Sequence, residues 1–396
     1  MDIEKHIEKS FSRLSGGPYA ADRIWQKSSY DWPADWEGRA LLAFSCLCRV
    51  TGKMIPCADA IVGQLGEHLN ACGYMGEIYE KADEQQLSGH SWLLRGLLEY
   101  RQITGSAEAK KYADGIINGL FLPAEKYYAL YPSDRIPEKR GDVSGSRSAE
   151  VPGWRLSTDR GCAFMCIDGL SEYYRLTGDR RVRNMLYTLI GKYLEIDFVG
   201  QKLQTHAVLS AARGILTFYE ATGDENLLAD VETVFAEYVK YGMTLTYENY
   251  NWFGRQDSWT EPCAVVDSFI LALRLYGISG RDEYLRLARR IWFNGLSFCH
   301  RANGGAGPNT CVTDEKRVLK ISMFEAPFCC TMRYCEGLVY ADKYRSLLKS
   351  ETAEITVDGH GRRFIGDRLL VRDADGKEMP LDTLCFPEND GAEYTV

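Results

Sequence analysis

The most regular feature of the chain is an apolar, helix-periodic segment that ends in Thr-Gly or Ser-Gly and occurs five times. The stops end at Gly52, Gly105, Gly178, Gly223 and Gly280. A glycine at this place supplies the left-handed residue that closes a helix C-terminus. After four of the five stops a second apolar-periodic segment begins within a few residues, over 109–120, 182–193, 226–238 and 284–298. The pattern predicts a helical hairpin that is used repeatedly.

The spacing of the stops predicts how the hairpins assemble. Successive stops lie between 45 residues apart (178 to 223) and 73 residues apart (105 to 178), which is too irregular for a flat array of identical repeats. Five hairpins, with a sixth that starts near Cys330, predict an all-α fold, an (α/α)6 toroid of two concentric helix layers. An open helical solenoid is the alternative, and its loops would form a peptide-binding face.

The hydrophobic period changes near the C-terminus. From Glu354 onward short apolar stretches such as Ile355 to Val357 alternate with turn sequences rich in glycine and aspartate. This pattern is typical of β-hairpins. We therefore predict a barrel domain over residues 1–350 and a small β appendage over residues 351–396.

Composition narrows the class of partner. The 396 residues carry a net charge of -8, which disfavours nucleic acid and an anionic membrane surface and suits a small neutral ligand. The charged N-terminal segment lacks the apolar core of a signal peptide, and no stretch approaches the roughly 20 apolar residues of a membrane span. Thirteen cysteines, an odd number at irregular spacing, indicate reduced thiols. These features predict a cytoplasmic protein and leave its oligomeric state open.

Several unusual residues lie at or just before the start of the first helix of a hairpin. They are Trp36 and Glu37, His90, His206, Glu261 with Cys263, and Cys329 with Cys330. In a toroid the starts of the inner helices converge at one end, and helix N-termini favour carboxylate and thiolate charge. Their shared position predicts one funnel-shaped site. Taken singly, the histidines also suit helix caps, Trp36 suits the core, and Glu37 suits a first-turn charge.

Four of these residues form a candidate metal set. Glu261, Cys263, Cys329 and Cys330 provide one carboxylate and three thiols in two short clusters, a combination that suits one Zn²⁺. The alternative is that the cysteines are core residues, since free cysteine is among the most buried residue types. The carboxylate and the third thiol beside the Cys-Cys pair favour the metal.

Two motifs in this set resemble a known family. The segment from Thr260 to Ala264 (Thr-Glu-Pro-Cys-Ala) and the pair Cys329-Cys330, with Ser88-Gly-His90 and Thr205-His-Ala-Val208 upstream, resemble the β-L-arabinofuranosidase family of glycoside hydrolases. The resemblance covers roughly residues 33 to 345. It implies an (α/α)6 barrel with a zinc ion and a retaining hydrolysis of an arabinofuranoside or related neutral sugar.

The resemblance also implies roles for individual residues. Glu261, Cys263, Cys329 and Cys330 would hold the zinc, and Cys329 would attack the anomeric carbon. Glu248 is the counterpart of the family's acid/base glutamate, about three residues closer to the Glu-x-Cys motif than in the family. We predict that the residues of the funnel, Trp36, Glu37, His90 and His206, bind the sugar. Trp252 and Trp259, which lie near the same motifs, can stack on a sugar ring.

The chain also departs from the family pattern. Ala163 stands where the family has a histidine, and Met332 and Arg333 stand where it has a proline and an asparagine after the cysteine pair. The segment 303–309 occupies the region of a family tyrosine, and the chain is much shorter. These departures bear on the identity of the substrate more than on the metal donors.

Two other functions remain open from the residues alone. A toroid can hold a structural zinc and bind a protein without catalysis, because a closed set of four protein ligands is typical of structural zinc. A zinc enzyme that activates a thiol substrate for alkylation is the other alternative. Such an enzyme would have a histidine close to a cysteine, and Cys299-His300 is the one such dipeptide in the chain.

Overall fold

The computed structural model describes residues 2–26, 32–134, 136, 144–349 and 354–396. Within these residues the α-helices are α1 (Ile3–Leu14), α2 (Asp35–Thr51), α3 (Cys57–Gln64), α4 (Glu84–Thr104), α5 (Ala107–Ile116), α6 (Leu122–Tyr128), α7 (Cys166–Thr177), α8 (Arg180–Leu194), α9 (Thr205–Thr222), α10 (Glu225–Tyr241), α11 (Pro262–Ser279), α12 (Asp282–Arg290) and α13 (Cys330–Lys343). The strands are β1 (Ala82–Asp83), β2 (Arg147–Val151), β3 (Trp154–Ser157), β4 (Val318–Lys320), β5 (Ile355–Val357), β6 (Arg363–Ile365), β7 (Arg368–Arg372), β8 (Glu378–Pro380) and β9 (Glu393–Thr395). The protein is therefore mostly helical, with small sheets.

The five predicted glycine stops all close helices. Gly52, Gly105, Gly178, Gly223 and Gly280 follow the last residues of α2, α4, α7, α9 and α11, each in the left-handed conformation with φ between 68° and 75°. Each glycine N–H donates to the carbonyl four residues earlier, as at Gly105 and Arg101. The second segments of the hairpins are α5, α8, α10 and α12, and the hairpin prediction is confirmed at these positions.

The chain forms two compact units. One unit is Gly17–Val234, and the other combines Met1–Gly16 with Phe235–Val396. In the Gly17–Val234 unit, α2, α4, α7 and α9 pack side by side in that order, and α3, α5 and α8 pack on their outer sides. The first three turns of α9 are buried on every face, while α8 buries only one stripe. The unit thus has an inner and an outer helix layer.

The other unit supplies a hairpin that the glycine pattern did not reveal. In it α11 packs against α12 and α13, and the N-terminal α1 packs on α13. The buried side of α1 follows helical spacing through Ile3, Ile7, Ser10 and Leu14. His6 Nδ1 lies 3.0 Å from the Tyr334 hydroxyl and 2.8 Å from His300 Nδ1. The partner of the last helix therefore comes from the opposite end of the chain, which local sequence cannot show.

The β structure is larger than predicted. Strands β5 to β9 form an antiparallel sheet in the C-terminal region, and β4, which precedes α13, pairs with β9. A separate sheet of order β1-β3-β2 lies in the Gly17–Val234 unit and was not predicted, since its strands have no clear alternation of buried and exposed positions. The predicted boundary between residues 350 and 351 lies outside the described residues.

One helix, α11, is long and apolar enough by composition to cross a membrane, among the residues that the structure describes. Most of α11 is buried inside the protein, as expected for a core helix.

Glycine permits the closest approach of two inner helices. A Cβ added to Gly38 of α2 would lie 2.2 Å from the backbone nitrogen of Leu93 on α4. We predict that Gly38→Ala lowers the free energy of unfolding by about 1–3 kcal/mol because the helices must separate. Gly63→Ala, on an open face of α3, serves as the control and should raise it by roughly 0.5–1 kcal/mol. Urea denaturation of both variants measures the difference, and equal effects would contradict this account of the packing.

Candidate metal centre

Four donor side chains lie at the starts of two neighbouring helices. Glu261 is the residue before α11 and Cys263 lies in its first turn, while Cys329 precedes α13 and Cys330 begins it. One ligand atom from each of the four residues lies within 4.8 Å of the others. The structure thus brings together the donors that the sequence predicted, and this cluster can hold a metal ion.

Proline fixes the geometry of the first donor pair. Pro262 occupies the first helical position of α11, where the missing N–H leaves no hydrogen bond unmade. It also disfavours a helical conformation in Glu261, whose backbone is extended with φ -126° and ψ 110°. The change from extended to helical backbone between them brings the Glu261 carboxylate within reach of the Cys263 thiol.

The distances between the sulfurs test whether zinc fits. Cys263 Sγ lies 3.6 Å from Cys330 Sγ, and Cys329 Sγ lies 3.3 Å from Cys330 Sγ. Two thiolates bound to one tetrahedral zinc at about 2.3 Å lie about 3.8 Å apart. These two distances would therefore change by about half an ångström or less on binding zinc. Three thiols and a carboxylate are also donors that zinc accepts.

The electrostatics of the cluster favour a bound cation. Burial raises the pKa of the Cys330 thiol well above its usual value, and the neighbouring Cys263 and Cys329 raise it further. Three adjacent buried thiolates would repel one another strongly unless a cation lay between them. All thirteen cysteines are free, so no disulfide competes for these sulfurs.

A buried ion pair joins the two donor-bearing helices one turn below the donors. Arg333 of α13 donates from Nη2 to Asp267 Oδ1 of α11 at 2.7 Å, and it also pairs with Glu336. Arg333 and Asp267 are 1% and 0% exposed, so the loss of either partner would leave a buried charge uncompensated. Arg333 stands where the resembling family has an asparagine, and here its role is to hold α11 and α13 together.

The predicted acid/base residue lies beside the donor segment. Glu248 is fully buried, and its Oε1 accepts hydrogen bonds from Asn309 Nδ2 at 2.8 Å and Thr260 Oγ1 at 3.0 Å. Its Oε2 accepts from Thr246 Oγ1 at 3.0 Å. Burial raises the pKa of Glu248, and the three donors act in the opposite direction. Thr260, which donates to Glu248, directly precedes Glu261. One short segment therefore positions the carboxylates of both Glu248 and Glu261.

Sequence reasoning missed the residues that surround Glu248. Thr246 carries no motif, Thr260 stood in the Thr260–Ala264 motif without a role of its own, and Asn309 was noted only as the end of the departing segment 303–309. Cys299 Sγ also lies 3.6 Å from Glu248 Oε1. The Cys299-His300 dipeptide is therefore not part of the donor cluster, since His300 pairs with His6 through the two Nδ1 atoms.

An exposed tryptophan lies two residues before Glu261. Thr260, between the two, donates from Oγ1 to Glu248. Trp259 is 42% exposed and meets Trp252 edge to face, with ring centroids 5.1 Å apart. This pair offers an aromatic surface next to the metal donors in sequence.

The other predicted site residues belong to the Gly17–Val234 unit. Trp36 stacks on Tyr19 with ring centroids 5.3 Å apart. Glu37 is partly exposed, and burial raises its pKa to about 7, with Asp35 adding to the shift. The side chain of Glu37 therefore changes charge near neutral pH.

The two predicted histidines of this unit are buried. His90 Nδ1 donates to Gln86 O at 2.7 Å, and its Nε2 accepts from Met75 N at 2.9 Å. Both ring nitrogens are thus used by the backbone, and burial lowers the pKa of His90 to about 4. His206 stacks on Trp92 at 5.6 Å and lies 3.2 Å from Ser210 Oγ through Nδ1. Their role in sugar binding stays a prediction.

Comparison with known proteins relates the chain to solved structures by fold. No protein family profile matches the sequence, and no curated protein matches it. A GH127 β-arabinofuranosidase structure superposes with a TM-score of 0.55 at 13% identity over 85% of this chain and 56% of its own. A GH127 β-L-arabinofuranosidase from Geobacillus stearothermophilus T6 gives 0.56 at 12% identity, covering 98% of this chain and 74% of its own.

A sugar epimerase has a similar fold. Cellobiose 2-epimerase from Bacillus thermoamylovorans superposes with a TM-score of 0.56 at 14% identity, covering 85% of this chain and 99% of its own. The similar structures are α/α toroid enzymes, glycoside hydrolases among them, and at these identities the likeness shows the fold alone. The chain spans 56% of the length of the first arabinofuranosidase structure.

The donor cluster predicts a metal content. We expect the purified protein to contain about one equivalent of zinc by elemental analysis, because the four donors form one tetrahedral set. Cys263→Ser should lose the metal, since a hydroxyl replaces a thiolate poorly. Cys335→Ser is the matched control, because Cys335 is a buried cysteine of α13 outside the cluster. Equal zinc content in both variants would show that Cys263 is a core residue only.

Proposed function

We propose that the protein is a retaining glycoside hydrolase that acts on an arabinofuranoside or a related neutral sugar, with Cys329 as the nucleophile. The observation that carries the proposal is the convergence of Glu261, Cys263, Cys329 and Cys330 at the starts of α11 and α13. It is supported by solved structures of similar fold that include β-L-arabinofuranosidases. A cytoplasmic location is part of the proposal, on the ground of thirteen free cysteines.

The choice of Cys329 among the three thiols comes from the resemblance, and burial agrees with it. As whole residues, Cys329 is 9% exposed and Cys330 and Cys263 are 2% and 0% exposed, so Cys329 is the least buried of the three. It also precedes the N-terminus of α13, where the helix dipole favours a thiolate. Zinc, when bound to these four residues, keeps the cysteines deprotonated at neutral pH.

The reaction proceeds by two displacements. Cys329 Sγ forms a bond to the anomeric carbon while the glycosidic oxygen leaves and accepts a proton from a carboxylic acid. The same carboxylate then takes a proton from water, whose oxygen displaces Cys329 from the anomeric carbon. Each displacement inverts the carbon, so the product keeps the configuration of the substrate.

Two carboxyl groups are candidates for the acid. Glu248 is the one that the resemblance implies, and burial raises its pKa, which favours the protonated form that an acid needs. Glu37 is the second candidate because its pKa of about 7 suits proton transfer near neutral pH. We assign the role to Glu248, because it belongs to the same compact unit as the four donors and accepts a hydrogen bond from Thr260 beside Glu261. Glu37, which is partly exposed, is tested against it.

A structural zinc with a non-catalytic binding role is the second candidate function. The donor set consists of four protein ligands with three buried sulfurs, which is typical of structural sites. This alternative requires neither an accessible sulfur nor a general acid. The thiol-alkylating alternative has less support, because no histidine belongs to the donor cluster among the described residues.

Replacement of the acid should depend on the leaving group. Glu248→Gln should slow substrates with poor leaving groups by about 10²–10⁴-fold and spare activated aryl glycosides, because only the former need a proton. Glu37→Gln provides the comparison. An acid works only while protonated, so kcat/KM should fall as pH rises through its pKa, and this limb should disappear in the variant that lacks the acid. If Glu37→Gln showed this dependence on the leaving group and lost this limb of the pH profile, and Glu248→Gln did not, the acid would be Glu37.

An added nucleophile should rescue the activity that is lost when Cys329 is replaced. Cys329→Ala should lose turnover, and added azide should restore the first displacement on an activated glycoside and give the glycosyl azide of inverted configuration. Cys263→Ser, which removes a donor but not the nucleophile, should not be rescued in this way. Wild-type protein should release sugar of retained configuration, measured by NMR during hydrolysis. Full activity in Cys329→Ala, or an inverted sugar from the wild type, would refute Cys329 as the nucleophile, whereas zinc-loaded wild type without glycosidase activity would favour the structural-zinc function.

A further inference from the structure

The segment 300–309, called here the 300–309 loop, joins the two donor pairs. On one side Asn309 O accepts from Thr260 N at 3.0 Å, and Asn309 N donates to Thr260 Oγ1 at 2.8 Å. On the other side Ala306 N donates to Thr331 Oγ1 at 3.1 Å. Thr260 precedes Glu261, and Thr331 follows Cys330. The loop is therefore bonded to the residue next to a donor in each pair.

The glycines of the loop permit this close fit. A Cβ on Gly307 would lie 1.8 Å from the carbonyl oxygen of Phe324, so only glycine allows the two backbones to approach. Gly307 N also donates to Cys299 O at 3.1 Å. The glycine-rich composition of the loop thus has a structural reason, because the loop packs closely on the segment that leads to Cys329.

The side chain of Arg301 donates hydrogen bonds to several parts of the loop. Its Nη2 donates to Gly307 O and Pro308 O, both at 2.8 Å, and to Asn309 Oδ1 at 3.0 Å. Its Nε donates to Phe324 O at 3.1 Å. The planar guanidinium can reach all of these acceptors at once, which the ammonium of lysine cannot do. Asn309, oriented in this way, donates through Nδ2 to Glu248.

Arg301 is also a buried cation whose described partners are all neutral. The side chain is 1% exposed, and every acceptor that it meets within the described residues is a carbonyl or amide oxygen. Burial lowers its pKa, and the nearby Cys299, Glu248 and Cys330 counter that effect. A buried charge needs a compensating charge nearby. Three thiolates and one carboxylate around Zn²⁺ leave about two negative charges, so a loaded donor set provides it.

We propose that Arg301 is a positioning residue of the metal centre. It sets the spacing between the Glu261–Cys263 pair and the Cys329–Cys330 pair through the 300–309 loop, orients Glu248 through Asn309, and balances the negative charge of the loaded donors. The inference rests on the proposed zinc site, but not on the identity of the substrate or on glycosidase activity.

The test compares zinc affinity and cobalt spectra in three variants. Arg301→Gln removes the charge and the guanidinium, and Arg301→Lys keeps the charge alone. Asn303→Ala is the matched control, because Asn303 Oδ1 supports the same loop by accepting from Gly305 N at 2.9 Å and is not among the acceptors of the Arg301 guanidinium. Zinc affinity is measured by competition with a chromophoric chelator, and the geometry of the donors by the visible absorption of the Co²⁺-substituted protein.

We expect zinc affinity about 10- to 100-fold lower in Arg301→Gln, an intermediate loss in Arg301→Lys, and an altered cobalt spectrum in both. Asn303→Ala should retain the affinity and the spectrum of the wild type. A folded Arg301→Gln protein with wild-type affinity and spectrum would overturn the inference, and Arg301→Lys decides in the same way if the glutamine variant does not fold. Wild-type protein that binds no zinc would instead overturn the zinc site itself.

Discussion

Three buried sulfur atoms, of which the middle one contacts the other two, are the constraint on which the candidate site depends. Cys330 Sγ lies 3.3 Å from Cys329 Sγ and 3.6 Å from Cys263 Sγ. The Glu261 carboxylate lies beside these three sulfurs. Neutral thiols can pack in this way, but thiolates cannot unless a cation separates them. Whether a metal is bound therefore decides between a core cluster of neutral thiols and a metal centre.

The surrounding structure holds this cluster from several directions. Pro262 sets the start of α11, the Arg333–Asp267 pair joins α11 to α13, and the 300–309 loop bonds to the residues adjoining both donor pairs. Each connection is buried and made by a different part of the chain. Donors that are fixed before the metal arrives lose little conformational entropy on binding. A metal site built on two helices is also positioned more precisely than one carried by loops alone.

What the sequence could predict was set by how local each signal is. A left-handed glycine closes a helix through a hydrogen bond to a residue four positions earlier, so Gly105 and its counterparts could be recognised without any tertiary information. The donor set could also be found, because each pair lies within three residues and zinc restricts the ligand types. The pairing of α1 with α13 depends on contacts between residues far apart in sequence, such as His6 and Tyr334. No local sequence pattern predicts this pairing.

The environment of Glu248 shows the same limit at the site. Its position relative to Glu261 could be read from the sequence, whereas its burial and its bonds to Asn309 and Thr246 depend on long-range packing.

The measurement that tests the central claim most directly is peptide mass spectrometry after treatment of the zinc-loaded protein with an electrophilic arabinofuranosyl inactivator. We expect one label per chain, on Cys329, prevented by prior addition of the free sugar. A label on any other residue, or none while zinc is bound, would contradict a nucleophilic Cys329.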